Sequence, residues 1–261
     1  MSRKHFQIEV KPDFTPTTTA AAFNAGDVLF NWEPFKLPHG VFQLVGCTAI
    51  CRGADDGTAD QAMDLYFATK TRGNGDIASG SAPSDLGTQN SAPAPNNPPW
   101  NDIIGGLSII AADFSESTVG MNIANASSVN QGRIFFDTTD EFHTRGGIAD
   151  TSGPEKEYTF YVAATCGAAI DFTSDCDLTG NHNAAAANDL TVDGTDARLL
   201  LAPGDVIKAG DNAVIGTVGT IPDSTSILLA NSATNTAALA TDDQIFNINP
   251  VRLRFTFKRL S

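Results

Sequence analysis

Apolar residues recur along this chain with a period of two far more clearly than with a helical period. The cleanest case is Val251 to Leu260, VRLRFTFKRL. There Val251, Leu253, Phe255 and Phe257 face one way, and Arg252, Arg254, Thr256 and Lys258 face the other. Glu157 to Cys166 reads as a second strand, with Tyr158, Phe160 and Val162 set against Thr159, Tyr161 and Ala163. Phe6 to Val10, Val28 to Trp32, Val41 to Arg52, Gln61 to Lys70 and Arg133 to Asp137 are further strand candidates, and Pro34, Pro38 and Gly40 bracket a bend. Asp102 to Ile110 and Ser115 to Ala124 hold apolar residues without a firm period, and Asp171 to Asp196 reads as a polar loop.

Leu199 to Ile248 has its own rhythm. Short apolar runs (Val206-Ile207, Val214 to Val218, Ile227 to Leu229, Gln244 to Ile248) alternate with the turn chemistry of Pro203-Gly204-Asp205, Gly210-Asp211-Asn212, Pro222-Asp223-Ser224 and Asp242-Asp243. This spacing predicts a small β-barrel. The strands at 157–166 and 251–260 flank it and are expected to be antiparallel neighbours in one sheet. Strands with one apolar face need a facing layer, so the predicted fold is all-β: a jelly-roll-like antiparallel β-sandwich with an inserted small β-barrel. Residues 1–166 and 249–261 form the sandwich, and 167–248 form the insertion with a polar lead-in. Residues 71–102, rich in Gly, Ser, Pro and Asn, form a long irregular arm expected to reach a neighbouring subunit.

Composition adds a charge pattern. The chain of 261 residues carries a formal net charge of −14. Residues 1–11 and 252–261 hold seven cations (Arg3, Lys4, Lys11, Arg252, Arg254, Lys258, Arg259) against one acid, Glu9, while the stretch between them has nine bases and twenty-nine acids. Such an acidic body excludes a nucleic-acid groove, which needs a basic track to displace counterions. The basic ends read either as solvated termini or as a docking surface for an acidic partner. The opening Met-Ser-Arg-Lys-His predicts no secretory leader, and no run reaches membrane-spanning length. The four cysteines do not make a disulfide framework. Cys47 and Cys51 would lie about 13 Å apart along one strand, too far to bond, Cys166 and Cys176 could meet across a loop, and reduced structural thiols are expected.

Candidate chemistry is sparse. Acids cluster at Asp55, Asp56 and Asp60, at Asp171, Asp175 and Asp177, and at Asp189, Asp193 and Asp196, but none has the spacing of a calcium loop. Asp140-Glu141-Phe142-His143 offers acid/base groups in what reads as a polar loop. There is no nucleophile elbow and no phosphate-binding loop, Gly73-Asn74-Gly75 being a turn signal only. Asn125-Ala126-Ser127 is a formal glycosylation sequon without a secretion signal. These readings predict a protein that is not an enzyme and that uses no metal and no cofactor.

Gly204-Asp205-Val206-Ile207, Ile215-Gly216-Thr217-Val218, Thr225-Ser226-Ile227-Leu228-Leu229 and Asp242-Asp243-Gln244-Ile245 resemble small β-barrel modules in virion structural proteins of tailed bacteriophages, notably marine ones. Phe23 to Gly53 and Gln61 to Thr69 resemble the sandwich half of such proteins. The resemblance covers about half the chain and includes no catalytic motif. It implies a head or tail component, foremost a capsid decoration protein, in a virion assembled in the host cytoplasm. Its partners would be further copies of itself, as a trimer, and the major capsid protein, without nucleic acid or membrane. The expected contact residues are Arg3, Lys4, Trp100, Arg252, Arg254, Lys258 and Arg259. Two alternatives remain: a tail or host-adsorption component that binds surface glycans, and a carbohydrate-binding or carbohydrate-active sandwich using Trp32 or Trp100.

Overall fold

The computed structural model describes residues 4–14, 22–52, 61–69, 86–93, 103–115, 121–128, 130–139, 157–172, 176–180, 188–209, 214–230 and 239–260. Antiparallel strands dominate them. One layer runs in the order β1 (His5–Val10), β16 (Val251–Arg259), β3 (Val41–Arg52), β7 (Met121–Ser127) and β6 (Phe114–Ser115), with β8 (Phe135–Asp137) also paired to β3. The other runs β2 (Val28–Pro38), β9 (Glu157–Cys166), β4 (Met63–Ala68) and β5 (Ile103–Ile109). Leaving out the short β6 and β8 and numbering the eight long strands by chain order, the layers read 1-8-3-6 and 2-7-4-5. That is the double Greek-key wrapping of a jelly roll.

The strands at 157–166 and 251–260 are therefore not sheet neighbours, contrary to the sequence expectation. β9 pairs with β2 and β4, whereas β16 pairs with β1 and β3. They face each other across the core. Phe35, Phe67 and Phe160 project from one layer, and Phe136, Phe255 and Phe257 from the other. The Phe136 ring lies 5.1 Å from Phe160, 5.4 Å from Phe257, 5.7 Å from Phe67 and 5.8 Å from Phe35. Most of these pairs meet edge to face, the arrangement that matches ring edges to ring faces. Phe14, Phe23 and Phe172 form a second trio with centroids 5.3–6.1 Å apart.

Several local departures from the expected pattern have physical causes. β2 does not stop at Pro34 but continues to Pro38, with Pro34 opposite Tyr161; β2 is an edge strand, where a missing N–H is tolerated. β7 turns Asn122, Ala124 and Ala126 inward and Ile123 outward, so its inner face carries no large apolar residue to reveal the period. β5 contains Gly105-Gly106, and a Cβ at Gly105 would lie 3.0 Å from Ile134. β9 is buried on both faces from Phe160 onward. Its second face, Tyr161 and Ala163, packs with Val28, Trp32, Ala68 and Leu86.

Leu86 belongs to the described part of the predicted arm. Residues 86–93 lie against their own chain: Asn31 accepts from the Leu86 N–H at 3.0 Å, and Val28 N–H donates to the Ser91 carbonyl at 2.9 Å. The rest of 71–102 lies outside the described residues.

The polar lead-in to the insertion is also structured. β10 (Asp177–Leu178) and β11 (Asp189–Asp193) begin a third sheet that continues through β14 (Ser226–Leu229), β13 (Val214–Asp223), β12 (Val206–Ala209) and β15 (Ile245–Asn247). The Asp177↔Gln244 bridge and the Ile245 N–H to Cys176 carbonyl bond at 2.9 Å join its two ends, making a barrel. Alternation in β11 (Leu190 and Val192 inward) was masked by its acidic flanks. The barrel has a separate aliphatic core of Leu190, Val192, Ile207, Ile215, Val218, Ile227 and Ile245, among others, and a short helix, α1 (Ala197–Leu200).

All four cysteines are free and buried. Burial pushes the Cys166 and Cys176 thiols up to about 12, and pushes those of Cys47 and Cys51 well above their ordinary range. A thiol reagent should therefore find no reactive cysteine in the native protein and four per chain after denaturation. Phe136→Ala should lower unfolding free energy by about 3–5 kcal/mol in a denaturant titration, since its ring is the shared contact of both layers.

Candidate functional site

The chain crosses from barrel to sandwich between β15 and β16, and a buried carboxylate holds that crossing. Ala202 to Asp205 make a turn in which the Asp205 N–H donates to the Ala202 carbonyl at 3.0 Å and Gly204 takes a φ of +90°, a conformation suited to glycine. The Asp205 side chain is fully buried. Its Oδ2 accepts from the Ala202 N–H at 2.8 Å and from Asn247 Nδ2 at 3.2 Å, and its Oδ1 accepts from the Arg252 guanidinium. Arg252 is the first outward-facing residue of β16, and Asn247 ends β15. One carboxylate thus ties two barrel elements to the last strand of the sandwich.

Arg52, at the end of β3, reaches the same carboxylate from the other side, with Nη1 3.9 Å from Asp205 Oδ2. Its Nη2 donates to the Met121 sulfur at 3.5 Å. Burial pushes the Arg52 guanidinium down from its ordinary value; Asp205 opposes this and Arg252 adds to it. Arg52 and Met121 form one wall of an open cleft of about 440 Å³, whose other lining residues are Arg198, Leu201, Ala202, Pro203, Thr220 and Ile221. Arg198 is held by Asp196, which caps α1 and accepts from the Arg198 backbone N–H at 2.9 Å and side-chain Nε at 2.9 Å.

The residues expected to contact a partner have different settings. Arg252 is drawn inward to Asp205. Arg254 pairs with Glu9 on the adjacent β1 at 3.1 Å, and Lys11 joins at 3.3 Å. Burial raises the Glu9 carboxyl, but the hydrogen bonds from Arg254 and Lys11 outweigh it and leave the group below its usual value. Arg259 does not share the face of Arg252, Arg254 and Lys258. It donates to the His39 carbonyl at 3.1 Å and stacks over the Phe42 ring at 5.9 Å. Lys4 and Lys258 are exposed, and the Lys4 carbonyl accepts from the Arg259 N–H, which brings these three cations to one end of the β1–β16 ladder. Arg3 and Trp100 lie outside the described residues.

The acids largely close turns. Asp27, Asp113, Asp205 and Asp243 each accept the backbone N–H of the residue three positions earlier, at 2.7–3.1 Å. Asp137 and Asp223 each accept from the threonine two positions later. Among the described residues, no three His, Cys, Asp or Glu side chains converge as metal ligands would. Asp55, Asp56, Asp60, Asp175 and the Asp140-to-His143 run lie outside the described residues. Trp32 is buried against Leu86 and Tyr161, so it offers no open face for a sugar ring.

Sequence reasoning read Asp205 only as a turn former and missed its partners Arg52 and Asn247. Asp205→Ala should cost about 3–5 kcal/mol in denaturant unfolding, because it strands Arg252 and frees the Ala202 and Asn247 donors. Asp223→Ala, at an exposed turn, should leave the unfolding midpoint nearly unchanged in the same experiment.

No family model matches this chain, and no curated protein matches it. Among solved structures, the VP2 subviral particle of infectious bursal disease virus superposes with a TM-score of 0.18 at 7% sequence identity, covering 98% of this chain and 41% of that one. The chain thus spans about two fifths of that protein's length. A superposition at that level assigns neither fold nor role.

Proposed function

We propose that this chain is a non-enzymatic virion structural protein: a capsid decoration subunit that forms homo-oligomers, as trimers, on the head of a tailed bacteriophage. The observation that carries this reading is the polarity of β16. Its first residues are clamped to the barrel through Arg252 and Asp205, and its last, Lys258 and Arg259, join Lys4 in an exposed cationic end. Six residues of extended strand put roughly 20 Å between Arg252 and Lys258. The sandwich can then anchor through its cationic end to an acidic surface, while the barrel is held at the other.

Two further points support the reading. The rest of the chain is strongly acidic, so a cationic end gives docking a direction. The jelly roll is an architecture of viral capsid domains, a fold-level analogy that also extends to lectins. The glycan-binding alternatives lose Trp32 as a platform, since its ring is buried.

The test is co-sedimentation of the purified protein with capsid shells that lack it. Binding is expected, and should weaken as salt rises from low to physiological ionic strength. A Lys4→Glu, Lys258→Glu, Arg259→Glu triple variant with an unchanged circular dichroism spectrum should lose it. A protein that stays monomeric and leaves the shells bare at low salt would overturn the proposal.

A further inference from the structure

Two arginines compete for one carboxylate at the junction, and one of them is left short. Asp205 is already engaged by Arg252, by the Ala202 N–H and by Asn247. Arg52 stands beyond hydrogen-bonding distance of it at 3.9 Å, and the one hydrogen bond its guanidinium makes among the described residues goes to a thioether, a weak acceptor. Its side chain is nevertheless only 25% exposed. A guanidinium has five donors, so among the described residues most of this one's have no oxygen partner, in a partly desolvated place. With two cations against one anion, the junction holds a spare positive charge among the described residues. Burial lowering the Arg52 pKa agrees with a charge that its surroundings leave poorly compensated.

The space beside Arg52 has the size and lining of a small-ligand site. Its volume of about 440 Å³ falls within the usual range for such pockets. Met121, Leu201, Ala202, Pro203 and Ile221 supply apolar walls, and Arg198 stands as a second cation already neutralised by Asp196. We propose that this cleft binds a single carboxylate on a short apolar stem, received by the guanidinium of Arg52 on its wall. A guanidinium matches a carboxylate with two parallel hydrogen bonds, and one spare charge suits a monoanion better than a dianion. The carboxylate has two possible sources: a free short-chain acid, or an Asp or Glu side chain of a second copy of this chain. This site is independent of the capsid-binding proposal, because it lies at the opposite end of β16 from Lys4 and Lys258.

The probe is hexanoate, titrated calorimetrically into the full chain at low salt, with inorganic phosphate and hexylamine as comparisons. Hexanoate should bind one per chain, phosphate more weakly, and hexylamine not at all. Arg52→Gln should weaken hexanoate binding by about tenfold or more, the loss expected for a charge-assisted hydrogen bond. Ala202→Trp, which fills the cleft and leaves Arg52 in place, should abolish it and serves as the deciding variant if Arg52→Gln fails to fold. Sedimentation velocity separates the sources. Self-association that hexanoate and Ala202→Trp both weaken identifies a neighbouring copy's side chain, and unchanged sedimentation identifies a free acid. No hexanoate binding at about 10 mM, or affinity unchanged in both variants, overturns the proposal.

Discussion

Six phenylalanines contributed by facing sheets set the geometry on which everything else depends. Phe35, Phe67 and Phe160 on one layer interlock with Phe136, Phe255 and Phe257 on the other. Edge-to-face contacts of this kind are directional, so they fix the offset of the layers as well as burying area. That offset places β9 and β16 on opposite sides of the core. The chain must cross between layers from one to the other, and the barrel occupies this crossing.

A barrel joined only by two chain segments would be free to swing. Asp205 removes that freedom by bonding to the end of β15 and the start of β16 at once, while its own turn is closed by the same carboxylate. Burying the charge is costly, and the full set of donors around it offsets that cost. The barrel's separate aliphatic core means that the clamp orients a unit already built, rather than completing it. Among the described residues, the same arrangement leaves the Arg52 guanidinium with little to bond, on the wall of the cleft that the two units line.

Strands were legible wherever one face was apolar and the other polar. In β16, β3 and β4 the alternation follows the burial pattern closely. It failed where the inner face was made of small or polar residues, as in β7 with Asn122, Ala124 and Ala126, and where acids flanked a short strand, as in β11. Alternation also sets Arg259 apart from the outward cations: it follows the core-facing parity of Phe255 and Phe257 and so caps Phe42.

Local alternation and turn chemistry by themselves determined the all-β class, the two-layer requirement, the inserted barrel and the division of charge between the chain ends and its body. These properties depend on neighbouring residues alone, so they survive without knowledge of the fold. Only the tertiary structure decided which strands pair, that β9 and β16 face each other, and that Asp205 meets Arg252 and Arg52. Those outcomes rest on contacts between residues 47 and 153 positions apart along the chain, and no local pattern encodes such a meeting. An aspartate that closes a turn looks the same in sequence whether its outer side faces water or two arginines.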